Sequence, residues 1–555
     1  MHSAPSRQRS TDEDETWWRG GVIYECHLPS FRDGNGDGIG DLDGLRKSLH
    51  YLRHVLGVDA VWTGPFYKSP LLDQGFDVSD YTSVEPVFGT LDTFDRLVKT
   101  AHELDLKIIV DYIPNHSSDQ HPWFESSRSS RTSPKRDWYV WRDAKPNGRV
   151  PNNWTSEAGG SVWEWDEPTG QFFLHSHLKE QPDLNWRNAD VRAQMLDVLR
   201  FWLDRGVDGV RIDVAHMLMK DPAFRDNPDA PMGNDNPFDL QHRDFGTQLH
   251  LYDRRHADTH EVLGQIRAVV DEYPGTVTIA EIEAMPWADW AAYFGDQLTG
   301  MHLPFPFRLL ETPWRADMLL TELRDLYASL PDGAWPIMAL GNHDRTRLST
   351  RLGQQQARVA AVLLLTLAAT PCLLYGDELG LTDQPVSLDR QRDYFSKTSG
   401  GVSRDPTRTP MPWRQGPNAG FSCAPESQLW LPVAANAAEV NVEAQREDPA
   451  SMLSLYQHLV RLRAASPALR RGGIDFEPLH DESVLCYRRH AGDEKLIALN
   501  LTDKSAQVVL PSAGTLLLST TSQAPAHPVG PSLRLAPDEA VVVDLDERQD
   551  DHEDH

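Results

Sequence analysis

Four short stretches place acidic, histidine and arginine side chains directly after apolar, β-like runs: Asp111-Tyr-Ile-Pro-Asn115-His116, Arg211-Ile-Asp213, Glu281 and Asn342-His343-Asp344. Carboxylates delivered repeatedly to the ends of buried strands describe the rim of a barrel, and clustered carboxylates do acid/base and nucleophilic work. Residues two apart on a strand face the same side. Arg211 is therefore expected beside Asp213, where a guanidinium would hold that carboxylate ionised by lowering its pKa. Glu283, two residues beyond Glu281 on the same face, is the rival for an acid role, but Glu281 sits where its strand should end. A separate loop, Asp33-Gly-Asn35-Gly-Asp37-Gly-Ile39-Gly-Asp41, sets oxygen donors at alternate positions between glycines, the layout a hard cation prefers. It resembles the first part of an EF-hand loop, with Gly44 in place of the closing Glu, and its three aspartates would repel a phosphate.

The elements that must position these groups are apolar, β-branched runs at Val22–Phe31, Ala60–Tyr67, Lys107–His116, Gly209–Ala215, Thr276–Ile282, Met301–Phe307, Pro336–Asp344 and Pro371–Leu379. Helical patterns lie between most of them. Over Asp190–Arg205, for example, Val191, Met195, Val198, Leu199 and Trp202 share one face and Gly206 is a stop signal. Strand and helix alternating in this way predict an α/β fold, a (β/α)8 barrel, over residues 16–116 and 186–475. The interval 117–185 is too long for a plain loop and carries aromatic runs at Trp138–Trp141 and Gln171–His175, so it reads as a subdomain inserted at the barrel mouth. Beyond the helix Met452–Ala465, short runs at Ser483–His490, Leu496–Leu501, Gln507–Leu510, Gly514–Ser519 and Ala540–Leu545 predict a C-terminal all-β domain over 476–547. Residues 1–15 and the acidic end, 548–555 and more broadly Asp544 to His555, read as disordered or solvated.

Composition narrows the partners. With 82 acidic against 54 basic residues among 555, and a formal net charge of -28, the chain repels nucleic acid and anionic lipid, and a neutral or cationic substrate is expected. Cys26, Cys372, Cys423 and Cys486 are widely spaced, form no CxxC pair, and read as free thiols of a reducing compartment. The first 15 residues are polar, and no run of about 18 apolar residues occurs, so the expectation is a cytoplasmic protein without a membrane partner. Most of the 17 tryptophans are expected in the core or barrel rim rather than on an exposed stacking surface. Oligomeric state, monomer or homodimer, is open.

Taken in order, the motifs resemble the α-amylase superfamily of glycoside hydrolases, family 13, and within it the oligo-1,6-glucosidase and α-glucosidase branch. The resemblance runs from about Trp17 into the C-terminal β-domain. It is carried by Gly21-Val-Ile-Tyr-Glu-Cys-His-Leu-Pro-Ser-Phe31, the Asp33–Asp41 loop, Gly75-Phe-Asp77, Asp111–His116, Gln181-Pro-Asp-Leu-Asn185, Gly209-Val-Arg-Ile-Asp213, Ala280-Glu281, Gly341-Asn-His-Asp344, Tyr375-Gly-Asp-Glu378 and Arg404-Asp-Pro-Thr-Arg-Thr-Pro-Met411. It implies a retaining glycosidase with Asp213 as nucleophile, Glu281 as acid and then base, and Asp344 as the third carboxylate, on sugar hydroxyls. It further implies that His116 and His343 hold the innermost glucose, that Asp77 and Arg404 grip its far hydroxyls and make the enzyme exo-acting, and that Phe76 stacks on the sugar. Asp111 either touches sugar or supports His116 or Arg211. The Asp33, Asn35, Asp37, Ile39 (carbonyl) and Asp41 loop is implied to bind Ca²⁺ or Mg²⁺, and no organic cofactor is implied. Two departures from the branch pattern are Ala280, where Gly is usual, and Phe76, where Tyr is usual. Gln181–Asn185 implies short oligosaccharide substrates. Val214 points to α-1,6 bonds, whereas the string Ile212-Asp-Val-Ala-His216 points to α-1,4, and the balance favours maltose-type substrates. A transglucosidase or sucrose- or trehalose-type isomerase would use the same intermediate. A non-catalytic lookalike is disfavoured by the complete carboxylate trio.

Overall fold

The computed structural model describes residues 15–230, 245–394, 396, 403–478 and 483–546. The expectations for residues 1–14 and 547–555 lie outside these. Eight short strands alternate with helices as the sequence pattern requires: β1 (Ile23–Cys26), β2 (Ala60–Thr63), β3 (Lys107–Tyr112), β4 (Gly209–Ile212), β5 (Val277–Ile282), β6 (Leu303–Pro306), β7 (Ile337–Met338) and β8 (Thr370–Leu374). Their hydrogen-bonded order is β6-β5-β4-β3-β2-β1-β8-β7, the ladders between these neighbours are parallel, and β6 and β7 meet to close the ring. This is a (β/α)8 barrel. Its strands are buried on both faces, which is why they read as continuous apolar runs.

Alternation along each strand sorts the side chains. Ile23, Trp62, Ile109, Val277, Ile279, Leu303 and Cys372 fill the barrel interior, while Tyr24, Val61, Ile108 and Ala280 pack outward against the helices. Glu25, Asp111, Arg211, Asp213 and Glu281 carry the interior parity of these strands onward to their carboxyl ends. The apolar plug ends there and the polar site begins.

Between β3 and the helix Ala189–Leu203, a three-stranded antiparallel sheet of Trp141–Arg142, Gln171–Leu174 and Trp163–Asp166 forms the insertion. The backbone bridge His116–Asp183 ties it to the rim, and Tyr139–Leu184 closes it internally. The hairpin Tyr67–Lys68/Asp80–Val84, which the sequence reading did not anticipate, stands between β2 and β3. At the C-terminus a six-stranded antiparallel sheet lies beside a two-stranded one. Two assignments change. Gly473–Phe476 pairs with Val484–His490, so this sheet begins at 473 rather than 476. Asp544 belongs to the strand Ala540–Leu545 and pairs with Lys495, so it is not part of a solvated tail. The four cysteines are unpaired, with Cys26 and Cys372 buried and Cys423 exposed. No helix among the described residues is long and apolar enough to cross a membrane.

Candidate active site

Arg211 is the centre of one half of the site. It is the ladder partner of Asp111 across β3 and β4, and its side chain is only 4% exposed. One Nη1 donates to Asp111 Oδ1 at 2.9 Å and to Asp213 Oδ1 at 2.8 Å, while Nη2 donates to Glu281 Oε2 at 2.5 Å. The guanidinium lies over the rings of Trp62 and Phe76, 5.2 and 5.7 Å from their centroids. Trp62 Nε1 donates to Asp111 Oδ2 at 3.3 Å. Asp111 is fully buried, so its geometry is that of support for Arg211 rather than of sugar contact.

A single guanidinium cannot neutralise three buried carboxylates, and unpaired buried charge is strongly penalised. Burial accordingly pushes Asp111 up to about 6 against the pull of Arg211. It pushes Asp213 up to about 8, with Arg211 opposing and the charge of Glu281 adding to the rise. The expectation that Arg211 leaves Asp213 with a lowered pKa is therefore corrected. Arg211 does pull it down, but burial and the neighbouring carboxylate outweigh it. The charges of Asp111 and Glu281 beside Asp213 thus favour a proton in this cluster.

The other half is arranged in the opposite sense. Asp344 Oδ1 accepts from Arg408 Nη2 at 2.6 Å and Arg404 Nη1 at 3.1 Å, and Oδ2 lies 3.3 Å from His343 Nε2. Burial disfavours its charge, but His343, Arg404 and Arg408 overcome this and hold it well below the usual carboxylate range. His343 Nδ1 lies 2.5 Å from Glu25 Oε1; burial opposes its protonation, and Asp344 and Glu25 raise it nonetheless. Phe76 stacks on His343 at 5.8 Å with an 11° angle between the rings.

Arg404 reaches the hairpin loop through Asp73, at 2.8 Å, and is braced by Asp393 at 2.8 Å. Asp77 is buried nearby, with its oxygens taken by Ser69 Oγ and the N–H groups of Leu72 and Asp73. Burial pushes it up to about 6. Asp73, not Asp77, is thus the hairpin carboxylate that Arg404 holds. His116 is pushed down to about 3 by burial and remains neutral, 3.3 Å from Gln181 Nε2. Glu283 stands apart from Arg211, paired with Arg254 at 3.1 Å and Arg255 at 3.0 Å. Burial works against its charge, but His216, Arg254 and Arg255 keep it ionised.

Asp73, Glu25, Asp393, Arg408 and His177 were not singled out from the sequence. His177, in the insertion, lies with its ring 5.0 Å from that of His116. Burial opposes its charge, and Glu157, 3.3 Å away, raises it to about 9. Arg408 stands inside the Arg404–Met411 motif and Glu25 ends β1 with interior parity, so both carried a signal. Asp73 and His177 are loop residues whose partners come from distant segments.

The Asp33–Asp41 loop supplies only oxygen donors, as a hard cation requires. Asp33 accepts from the N–H groups of Asn35, Gly36 and Gly38, and Asp37 from that of Ile39. Asp41 caps the helix Leu42–His50 through Gly44 N–H at 2.7 Å. Burial raises Asp41 against that bond, and the charges of Asp33 and Asp43 add to the rise, a surplus of negative charge that a cation would relieve. Among the described residues no three His, Cys, Asp or Glu side chains converge on one point, so a cation here would need the Asn35 amide oxygen and the Ile39 carbonyl as well.

The sequence model of a family described as the alpha amylase catalytic domain matches residues 26–472. The chain belongs to the alpha-amylase family. It is 39% identical over 517 residues to the probable alpha-glucosidase of Rhizobium meliloti (strain 1021), covering 90% of this chain and 92% of that protein. It is 34% identical over 574 residues to the probable oligo-1,6-glucosidase 3 of Bacillus subtilis (strain 168), covering 95% and 99%. The crystal structure of the alpha-glucosyl transfer enzyme XgtA superposes with a TM-score of 0.88 at 39% identity, covering 96% of this chain and 99% of that one. As a member of the alpha-amylase family with these relatives, the chain is a glycoside hydrolase.

Proposed function

We propose that the protein is a retaining, exo-acting α-glucosidase that releases glucose from the non-reducing end of short α-glucosides, with maltose-type α-1,4 bonds favoured. The observation that carries this reading is that one guanidinium, Arg211, holds the carboxyls of Asp213 and Glu281 together. Retaining hydrolysis needs two such groups about 5–5.5 Å apart. Asp213 Oδ attacks the anomeric carbon as the glycosidic C–O bond breaks, and the leaving oxygen takes the proton of Glu281. In the second half, Glu281 takes a proton from water, whose oxygen attacks the same carbon and releases Asp213. Asp344, kept ionised by Arg404 and Arg408, faces the sugar hydroxyls and stabilises positive charge on the ring. His116, His343 and Phe76 frame the glucose, and the Arg404–Asp73 pair closes the far end, with Asp77 behind it.

A second reading, transfer of glucose to an acceptor other than water, is supported by the 39% identity to a glucosyl transfer enzyme. Incubation with maltose, isomaltose, sucrose and trehalose separately, followed by chromatography, tests both. Glucose from maltose ahead of isomaltose is the expected result. Isomaltose ahead makes it an oligo-1,6-glucosidase, new glucosides without glucose make it a transferase, and silence on all four removes the reading. For the Asp33–Asp41 loop we propose a structural Ca²⁺ or Mg²⁺ held by Asp33, Asn35, Asp37, the Ile39 carbonyl and Asp41. Chelation should lower Tm by about 1 °C, from roughly 1 kcal/mol of lost ligand stabilisation; an unchanged Tm would remove the ion.

A further inference from the structure

Val214, directly after Asp213, has φ 37° and ψ 47°, a left-handed conformation that is strained for any β-branched residue. The strain has a local effect. Positive φ turns the Val214 N–H toward β5, where it donates to Glu281 Oε2 at 3.0 Å. The turn is fixed by Met217 N–H returning to Val214 O at 2.8 Å, and His216 Nδ1 lies 3.4 Å from the Glu281 carbonyl. Glu281 Oε2 thus receives two hydrogen bonds, from Val214 N–H and from Arg211 Nη2. Both groups are donors that cannot accept. A carboxyl proton on Oε2 would face two N–H groups and find no acceptor, so the protonated form of Glu281 must carry its hydrogen on Oε1.

We infer that Val214 is a positioning residue: its left-handed backbone, not its side chain, aims an amide at Oε2 and thereby fixes the acid's proton on Oε1. This rests on the reading of Glu281 as the acid. The isopropyl group is then free to bear on linkage preference, while the backbone sets the geometry of proton transfer.

The test replaces the Val214 amide by an ester, with α-hydroxyisovaleric acid in place of valine, which deletes the N–H and keeps the side chain. Turnover is compared on maltose, whose leaving group needs a proton, and on α-glucosyl fluoride, whose leaving group does not. Loss of one hydrogen bond to a charged group should lower kcat on maltose by about 10- to 100-fold and on the fluoride by less than about threefold. Val214→Gly keeps the N–H and reaches positive φ without strain, so any maltose-selective loss it shows should be well below that of the ester. Equal losses on both substrates in the ester, or a maltose-selective loss in Val214→Gly as large as the ester's, would overturn the proposal. Glu281→Gln separates the two levels. If it keeps maltose turnover, the acid assignment fails; if it shows the selective loss and the ester does not, only the role of Val214 fails.

Discussion

The two halves of the site use the same side chain in opposite ways. Around Asp213 and Glu281, three carboxylates share one guanidinium, and the surplus negative charge keeps a proton in the cluster. Around Asp344, one carboxylate is met by two arginines and a histidine, and it is ionised at any working pH. The contrast shows that the ratio of acids to cations, more than burial alone, decides which carboxylate holds a proton and which stays ionised.

Breaking the proton-exchanging half should have the largest effect. Asp213→Asn is expected to lower kcat by about 10⁴-fold or more without unfolding the protein, read by steady-state rates beside a far-UV spectrum; normal turnover would sink the site assignment. Breaking the Asp344 half should cost less, because the proposed nucleophile and acid remain. Asp344→Asn should lower kcat by about 10²- to 10³-fold, while leaving the pH dependence of the remaining activity in place. A profile that moved with this variant would show the halves to be coupled.

A finer test reads the proton itself. The alkaline limb of kcat/KM should lie near pH 8, where the cluster around Asp213 loses its proton. The charge of Asp111 helps to hold that proton, so Asp111→Asn should move the limb to lower pH by about half a unit to one unit. A limb that stayed or rose would contradict the account of the cluster.

How much of this was legible in the sequence depends on the kind of contact. The eight barrel strands were, because strands buried on both faces must be apolar throughout, and Asp111, Arg211, Asp213 and Glu281 follow from strand parity at their ends. The strand Gly473–Phe476 was missed because it is an edge strand with alternate residues exposed, so it lacks an apolar run. Trp163–Asp166 and the Tyr67–Lys68 hairpin are too short and mixed to carry a period. Asp73 could not be told from Asp77 by pattern, because the partner that distinguishes them, Arg404, is 331 residues away. The net rise at Asp213 was equally hidden, since proximity to Arg211 is visible in the sequence and the crowding by Asp111 and Glu281 is not.

The central claim is that Asp213 forms a covalent bond to the sugar. A fluorinated α-glucosyl fluoride, which forms the intermediate readily and releases it slowly, should add one sugar to the intact protein, and peptide mapping should place it on Asp213. A protein that turned this reagent over without an adduct and with inverted anomeric configuration, or that carried the adduct on another carboxylate, would contradict the account.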